Sequence, residues 1–212
     1  VAWHVFRVAA GLDSMVLGEN QIVGQLKEAY SSACQVKTTG KMMHRLMHQA
    51  FRVAKQVRTD TEMGRGACSV SSAAIDLLRE RIGDLTHPAV LFVGVNQMIR
   101  LAATNFGQSH HSRLMFANRT PEKAQALAAA FHGTGHGLDT VEDLLPQADI
   151  LISCTGSSQP VITRDMLRRF VRDYPGHRLL AADLAIPRDI DADAEFAGAI
   201  EVHDLESIKA FV

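Results

Sequence analysis

The sequence lacks the segments that a membrane or secreted protein needs. No apolar run approaches the ~20 residues of a membrane-spanning helix, and no signal peptide opens the chain. The three cysteines, Cys34, Cys68 and Cys154, have no paired spacing. This argues against a disulfide framework or a zinc ribbon and fits a reducing compartment. We therefore expect a cytoplasmic protein without a membrane partner.

Net charge is also nearly absent, since 22 Lys and Arg residues stand against 23 Asp and Glu residues, a formal net charge of −1. This excludes an overall basic field that could hold nucleic acid by charge alone. Residues 1–67, however, hold nine Lys and Arg against five Asp and Glu. The local excess leaves two interpretations open, a surface that faces RNA and an ordinary solvated helix face.

The composition that is present is that of a folded protein. It is 47% apolar and 21% charged, which excludes intrinsic disorder. A length of 212 residues suits one large domain or two small ones. Because the chain begins with valine, we expect it to be a segment of a longer protein.

The pattern of apolar residues changes near residue 85. Residues 1–83 predict helices only, over 20–33, over 41–58, and from a cap at Ser69 to about Ile82. Residues 88–205 alternate short apolar strands with amphipathic helices, which predicts an α/β fold with a doubly wound parallel sheet. We place the domains at 1–67 (helical), 68–87 (linking helix), 88–205 (Rossmann-like) and 206–212 (the start of a further helix).

Two of the predicted helices have a clear buried side. The residues expected in the core are Met43, Met47, Ala50, Ala54 and Val57 of helix 41–58, and Ala73, Ala74, Leu77 and Leu78 of the helix that ends near residue 82.

The helix over 41–58 also carries two histidines. His44 and His48 are spaced i, i+4 and could share a metal, but without a third ligand we predict no metal site.

The strand predicted over 89–94 ends at the position of the first glycine of a dinucleotide-binding G-x-G-x-x-G loop. Only this glycine is present, and its lack of a Cβ permits a tight turn into the next helix. The N-terminus of that helix offers unpaired N–H groups to a pyrophosphate. We expect the whole loop to contact a cofactor: Gly94, Val95, Asn96, Gln97, Met98 and Ile99.

A second loop, Asn118-Arg119-Thr120, indicates which cofactor this is. An NAD-preferring fold usually carries Asp or Glu about 20 residues beyond the first glycine. Here Arg119 can pair with a 2′-phosphate, and Thr120 adds a hydroxyl. The alternative is an exposed arginine at a helix start, where it would oppose the helix dipole. The sequence therefore predicts NADPH.

A third loop begins at Thr155 and should border the nicotinamide half of the cleft. We expect Cys154 to be a small apolar filler rather than a nucleophile.

In the first loop, Asn96 stands where a second glycine would let the backbone approach the pyrophosphate. Either the loop shifts outward or the amide bonds a phosphate oxygen. We favour the shift, on which view Asn96→Gly tightens NADPH binding.

The stretch from His4 to Glu19, HVFRVAAGLDSMVLGE, closely resembles the segment of glutamyl-tRNA reductases around their essential histidine. The resemblance continues through Gln21 and Gln25 and through the helical part. It resumes at residues 90–94 (VLFVG), 117–120 (ANRT) and 183–190 (DLAIPRDI). It thus covers nearly the whole chain.

The resemblance implies a cytoplasmic, three-domain, V-shaped homodimer that reduces glutamyl-tRNA(Glu) to glutamate-1-semialdehyde with NADPH. It makes residues 1–67 the C-terminal part of the glutamyl-tRNA-binding catalytic domain, 88–205 the NADPH-binding domain, and 206–212 the start of the helix that leads to the dimerisation domain. This is the first committed step of five-carbon tetrapyrrole (porphyrin) biosynthesis, and glutamate-1-semialdehyde aminomutase is the expected partner. A cysteine thiolate attacks the aminoacyl ester, and hydride then reduces the thioester. His4 matches the active-site histidine, a proton carrier. The positions that hold the glutamyl moiety match Ser14, Glu19, Asn20, Gln21 and Gln25.

The sequence also departs from the family's pattern. The family's cysteine lies upstream of the histidine, in a segment that this chain lacks, and the dimerisation helices expected after residue 212 are missing. We therefore expect the segment alone to be inactive. Asn20 replaces a usual proline. The loop from Gly94 to Gln97 replaces a glycine-alanine-glycine-glutamate loop, a change that bears on cofactor affinity.

Two other functions remain open. One is a non-catalytic relative that binds tRNA or a pathway protein. The other is an NADP-dependent dehydrogenase of shikimate-dehydrogenase-like type, because Asn-Arg-Thr also suits that group. The stretch from His4 to Glu19 weighs against the second.

Overall fold

A computed structural model describes residues 1–13, 20–61, 70–83, 87–107, 112–192, 196 and 198–211, without the side chains of Asn20 and Gln21. The chain divides into two compact units, Val1–Val70 and Ser71–Phe211. We call them the helical unit and the sheet unit.

The helical unit contains α1 (Ala2–Ala9), α2 (Asn20–Gln35) and α3 (Lys41–Asp60). Its core is small: Ala50 and Ala54 of α3 are completely buried and pack with Ala9 and Val23. The predicted interior positions Met47, Ala50 and Ala54 are confirmed. Met43 was expected inside but is 46% exposed, because the core is centred about two turns further along α3.

Helix α4 (Val70–Ile82) lies almost entirely in the sheet unit. Its four predicted interior residues, Ala73, Ala74, Leu77 and Leu78, are all buried. The predicted cap, Ser69, lies outside the described residues.

The sheet unit is built on six parallel strands in the order β3-β2-β1-β4-β5-β6. The strands are β1 (Ala89–Val93), β2 (Arg113–Asn118), β3 (Thr134–Gly137), β4 (Ile150–Ser153), β5 (Leu179–Asp183) and β6 (Ile200–Asp204). The α-helices that follow α4 are α5 (Gln97–Gly107), α6 (Pro121–Ala130), α7 (Val141–Leu144), α8 (Arg164–Asp173) and α9 (Leu205–Phe211). This confirms the α/β class and the doubly wound parallel sheet.

The central strands β1, β4 and β5 are buried at every residue, as continuous apolar runs predict. The chain order reverses between β1 and β4, so their carboxyl ends form the switch point at which open α/β sheets bind ligands. There Val93 of β1 pairs with Ala117 of β2 and with Ser153 of β4.

The two edge strands were not singled out from the sequence. Strand β3 reads Thr-Gly-His-Gly and has no apolar residue. A Cβ on Gly135 would lie 2.3 Å from the Gln125 nitrogen, so this strand is shaped by close packing against α6. Strand β6 includes Glu201 and His203, which dilute its apolar signal. Among the described helices, none is both long and apolar enough to cross a membrane.

Candidate functional site

The loop after β1 turns tightly against the end of β4. Gly94 has φ +107°, and a Cβ there would lie 2.2 Å from the carbonyl oxygen of Cys154. The backbone holds this approach through the Gly94 N–H, which donates to Ala117 at 2.8 Å, and the Cys154 N–H, which donates to Val93 at 2.9 Å. The glycine predicted for the strand-to-helix turn is therefore required by both its φ angle and its contacts.

Asn96 forms two hydrogen bonds within the protein. Its Nδ2 donates to the Cys154 carbonyl at 2.8 Å, and its Oδ1 accepts the Ile99 N–H at 3.0 Å. Asn96 thus caps α5 and ties the loop to β4 at the same time. Within the described part of the chain, the N–H groups of Gln97 and Met98 have no acceptor, so α5 can still offer two donors to a phosphate.

The other predicted residues of this loop contribute in different ways. The Ile99 side chain is completely buried and its N–H is already used by Asn96, so it supports the loop from below. Val95 is half-buried. Met98 is also half-buried, and its carbonyl accepts the Ser71 hydroxyl at 3.2 Å.

The loop after β2 leaves a cation exposed at the same edge of the sheet. The Asn118 amide donates to the Thr120 carbonyl at 3.1 Å and so closes the turn. Arg119 is exposed and makes no ion pair within the described residues. Thr120 is the N-cap residue of α6, yet its side chain does not cap the helix. Its hydroxyl and the Arg119 guanidinium are both available to an anion.

The loop after β4 is held by a carboxylate that the sequence did not single out. Asp189 is completely buried, and its Oδ2 accepts both the Ser153 hydroxyl and the Thr155 N–H at 2.7 Å. The Thr155 hydroxyl donates to Asp189 Oδ1 and accepts the Ser157 N–H at 3.1 Å. The Thr155 side chain, a predicted cofactor contact, is therefore engaged within the protein.

Two further buried groups lie beneath this edge. Asp183 accepts the N–H groups of Ala185 and Ile190, while burial raises the pKa of its carboxyl group. Burial likewise raises the pKa of the Cys154 thiol, although the Asn96 amide opposes the shift. A thiol that resists ionisation is a poor nucleophile, which agrees with the prediction that Cys154 fills space.

In the helical unit, His4 belongs to a network of charged side chains. Its Nδ1 lies 3.0 Å from Asp13 Oδ2, and Arg7 donates to Asp13 Oδ1 at 2.9 Å. A carboxylate only accepts hydrogen bonds, so His4 donates to Asp13 through its Nδ1–H group. The histidine is 70% exposed. Sequence reasoning missed Asp13, although it lies within the stretch that carries the resemblance.

The predicted contacts to the glutamyl group are only partly described. Ser14 and Glu19 lie outside the described residues, and so do the side chains of Asn20 and Gln21, which begin α2. Gln25 lies on α2 and is exposed.

The histidine pair of α3 forms no metal site within the described residues. Both ring nitrogens of His44 have neighbours, the Tyr30 hydroxyl at 2.5 Å and the Thr39 hydroxyl at 3.3 Å. Tyr30 also packs edge-on against the rings of His48 and Phe51. These contacts account for both histidines as packing residues.

Family models match both units of the chain. The model of the glutamyl-tRNA(Glu) reductase N-terminal domain matches residues 1–61, and that of shikimate / quinate 5-dehydrogenase matches residues 76–211. The second match covers more than half of the chain.

Individual relatives match nearly the whole chain. A glutamyl-tRNA reductase of Desulfatibacillum aliphaticivorans is 43% identical over 99% of this chain and 48% of its own length. The glutamyl-tRNA reductase of Nitrosomonas europaea is 45% identical over 90% of this chain and 46% of its own. The chain thus spans about half the length of the curated relatives that it matches.

Solved structures agree with these matches. A glutamyl-tRNA reductase from Methanopyrus kandleri aligns with a TM-score of 0.62 and 32% identity, over 99% of this chain and 53% of that one. A dipicolinate synthase from Bacillus halodurans aligns with a TM-score of 0.51 over 66% of this chain and 49% of its own. At 16% identity, the second match shows the fold alone.

Proposed function

Because the chain belongs through residues 76–211 to the shikimate / quinate 5-dehydrogenase family and resembles glutamyl-tRNA reductases along nearly its whole length, we propose that the protein containing it is an NADPH-dependent glutamyl-tRNA reductase. It would reduce glutamyl-tRNA(Glu) to glutamate-1-semialdehyde at the start of five-carbon tetrapyrrole biosynthesis. We also propose that it is a cytoplasmic homodimer that delivers its product to an aminomutase.

One observation carries the proposal. A single chain joins a histidine held by a carboxylate, His4 with Asp13, to a parallel sheet whose switch point suits a dinucleotide. Neither feature alone specifies the reaction. A dehydrogenase sheet without the helical unit would equally suit the shikimate-dehydrogenase-like alternative.

The carboxyl edge of the sheet fits NADPH on three counts. No carboxylate stands at the end of β2 to repel a 2′-phosphate, and Arg119 is exposed there without an acidic partner among the described residues. Gln97 and Met98 leave two N–H donors open for the pyrophosphate. Asn96 holds the turn in a fixed form, which favours an adapted cofactor loop over the decayed loop of a non-catalytic relative.

The protein's own residues have separable parts in the reaction. NADPH, when bound, supplies the hydride. Arg119 and Thr120 would bind the adenosine 2′-phosphate, and Gly94 would let the backbone approach the pyrophosphate. His4 would carry a proton at Nε2, because Asp13 keeps Nδ1 protonated and fixes the orientation of the ring.

The cofactor assignment is tested by Arg119→Ala in the 212-residue chain. A charge-assisted contact to phosphate is worth about 1.5–3 kcal/mol, so NADPH binding should weaken roughly tenfold to a hundredfold while NADH binding changes little. Calorimetry with both cofactors measures this. The matched control is Arg168→Ala, which removes an exposed arginine of α8. Equal weakening of NADPH and NADH binding would mean that Arg119 supports the fold and does not bind the 2′-phosphate.

The reaction is tested on the full-length protein by following NADPH oxidation. We expect oxidation with glutamyl-tRNA(Glu) and none with unacylated tRNA, since the ester is the group reduced. A protein that binds NADPH and tRNA but never oxidises the cofactor would be the non-catalytic relative. Oxidation coupled to a small hydroxy acid without tRNA would favour the dehydrogenase alternative.

A further inference from the structure

A groove with a strongly cationic lining runs between α2 and α3 of the helical unit. Its volume is about 670 Å³. Four basic side chains and a histidine contribute to its walls, together with one aromatic ring and one hydroxyl. The residues that define this cationic groove are Lys27, His48, Phe51, Arg52, Lys55, Arg58 and Thr59.

The groove residues of α3 lie in a row. His48, Arg52, Lys55 and Thr59 follow the i, i+4, i+7, i+11 spacing, so they share one face of α3. Arg52 and Lys55 are the two cations among these four residues. Arg58 joins them from the adjacent position, and Lys27 faces the row from α2. No acidic residue lines the groove within the described part of the chain.

Three of these cations have no acidic partner among the described residues. Lys27, Arg52 and Lys55 make no ion pair within the described residues. In the sheet unit, by contrast, Arg164 pairs with Asp191 at 3.0 Å and Arg172 with Asp173 at 2.6 Å. A row of like charges repels itself, so its cost is recovered only when an anion binds.

The floor of the groove is aromatic. The Lys27 ammonium group lies 5.8 Å above the centre of the half-buried Phe51 ring. Cations that track a chain of phosphates, with an aromatic ring between them, are the combination that nucleic-acid-binding surfaces use.

We propose that the cationic groove binds the phosphate backbone of RNA, and specifically that of the tRNA substrate. The choice of tRNA rests on the proposed function, whereas the site itself rests on the groove. This interpretation replaces the ordinary solvated helix face that the sequence left open. Arg52 and Lys55 of α3 contact neighbouring phosphates of one strand, and Lys27 contacts the same strand from α2.

The test measures binding of a labelled, unacylated tRNA(Glu) transcript to the 212-residue chain by fluorescence anisotropy, without NADPH. The variant is Arg52→Ala/Lys55→Ala. The control is Lys37→Ala/Lys41→Ala, which removes the same charge from the turn before α3 and from its first residue. Lys41 lies about 16 Å from Arg52 along the helix. Thermal unfolding checks that both variants stay folded.

Loss of two phosphate contacts should lower the salt slope, the slope of log K against log salt concentration, by about 1.4–1.8. At 0.1 M salt it should weaken binding roughly twentyfold to sixtyfold. The control should lose less than threefold. Equal losses of tRNA affinity in both variants would mean that RNA binds a diffuse positive surface, which would overturn the groove as the binding site. The same conclusion would follow if neither variant lost affinity or if the unmodified chain did not bind tRNA.

A second probe separates RNA from an acidic protein partner. Polyglutamate of matched charge should compete weakly, because it lacks bases to stack on Phe51. Competition equal to that of unlabelled tRNA would overturn RNA as the occupant. The reductase activity is not involved in either measurement, so a failed groove and a failed enzyme assignment give different results.

Discussion

The two units of the chain use their charged residues in opposite ways. Residues 1–67 carry nine Lys and Arg against five Asp and Glu, whereas residues 68–212 carry 13 against 18. In the sheet unit many arginines are paired with acids, such as Arg169 with Glu142, and this pairing lowers the pKa of Glu142. In the helical unit, Arg52 and Lys55 of α3 are exposed and have no acidic partner among the described residues. Arg7 pairs with Asp13 in the helical unit, and Arg119 is unpaired among the described residues of the sheet unit, so the division is one of proportion. Ion pairs use most of the described arginines near α8, whereas α3 leaves Arg52 and Lys55 available for a ligand.

Polar side chains also differ between the two units. Asp183, Asp189, Asn96 and Thr155 of the sheet unit form hydrogen bonds within the loops at the carboxyl edge. His4 of the helical unit is 70% exposed, and its described hydrogen bond is the one from Nδ1 to Asp13. The segment 183–190, which carries part of the family resemblance, thus includes a structural clasp, the bonds of Asp189 to Ser153 and Thr155. A family motif is not by itself a list of ligand contacts.

The largest expected effect comes from changing His4 and its partner Asp13 in the helical unit. In the full-length protein, His4→Ala should lower turnover roughly 10²–10⁴-fold if the proton transfer limits the rate. Asp13→Asn keeps the shape but loses a charged hydrogen bond, so we expect a loss of about tenfold. Steady-state and single-turnover kinetics measure both.

The Asp13 variant has a readout that is independent of activity. Nitrogen-15 shifts of the His4 ring should report a proton on Nδ1 in the unmodified chain and a mixture of tautomers in Asp13→Asn. Unchanged shifts together with unchanged turnover would remove Asp13 from the site.

The next largest effect comes from removing Asp189, the buried carboxylate that holds the loop after β4 in the sheet unit. Asp189→Ala leaves the donors of Ser153 and Thr155 without their buried acceptor and should lower the free energy of unfolding by about 3 kcal/mol. Asp191→Ala is the matched control, because its partner Arg164 is half-exposed and the pair should contribute less than about 1 kcal/mol. Urea denaturation of the chain compares them. Similar losses would contradict the role given to the clasp.

A smaller effect is expected at Asn96. Asn96→Ala removes the α5 cap and the bond to Cys154 and should cost about 1 kcal/mol of stability. Asn96→Ser keeps a cap but cannot reach Cys154, so its stability should lie between those of the unmodified chain and Asn96→Ala.

The sequence alone favoured tighter NADPH binding by Asn96→Gly. With the side chain holding the turn, we now expect weaker binding, and calorimetry decides the sign.

An effect of similar size, at the carboxylate that begins α9, depends on pH. Asp204 accepts the N–H groups of Ser207 and Glu206 at the start of α9, and these bonds with the nearby Arg188 lower the pKa of its carboxyl group. Its contribution, about 1 kcal/mol, is therefore present above the unfolded pKa near 3.8 and is lost as the pH falls through the folded value. Asp204→Ala should lower the Tm at pH 7 and change it little near pH 2. An equal change at both pH values would exclude the charged cap.

The sequence predicted the features that depend on local pattern. Apolar runs identified β1, β2, β4 and β5, and motif spacing predicted the turn at Gly94. The same spacing singled out Arg119 as a cofactor contact, which stays a prediction. Strand β3 gave no local signal, because its place is set by packing of Gly135 against α6. The clasp joins Thr155 to Asp189 across 34 residues, and no periodicity reports a contact of that separation.

The clasp also has a consequence for motion. The Thr155 N–H belongs to a loop, and loop amides usually exchange their hydrogen with solvent through small local fluctuations. This one is bonded to a carboxylate that is completely buried. Its exchange requires the segment 183–190 to open together with the end of β4, so the amide should persist as long as those of the central strands. We therefore expect the Thr155 amide, although it belongs to a loop, to exchange on the timescale of the core, which amide hydrogen exchange measures.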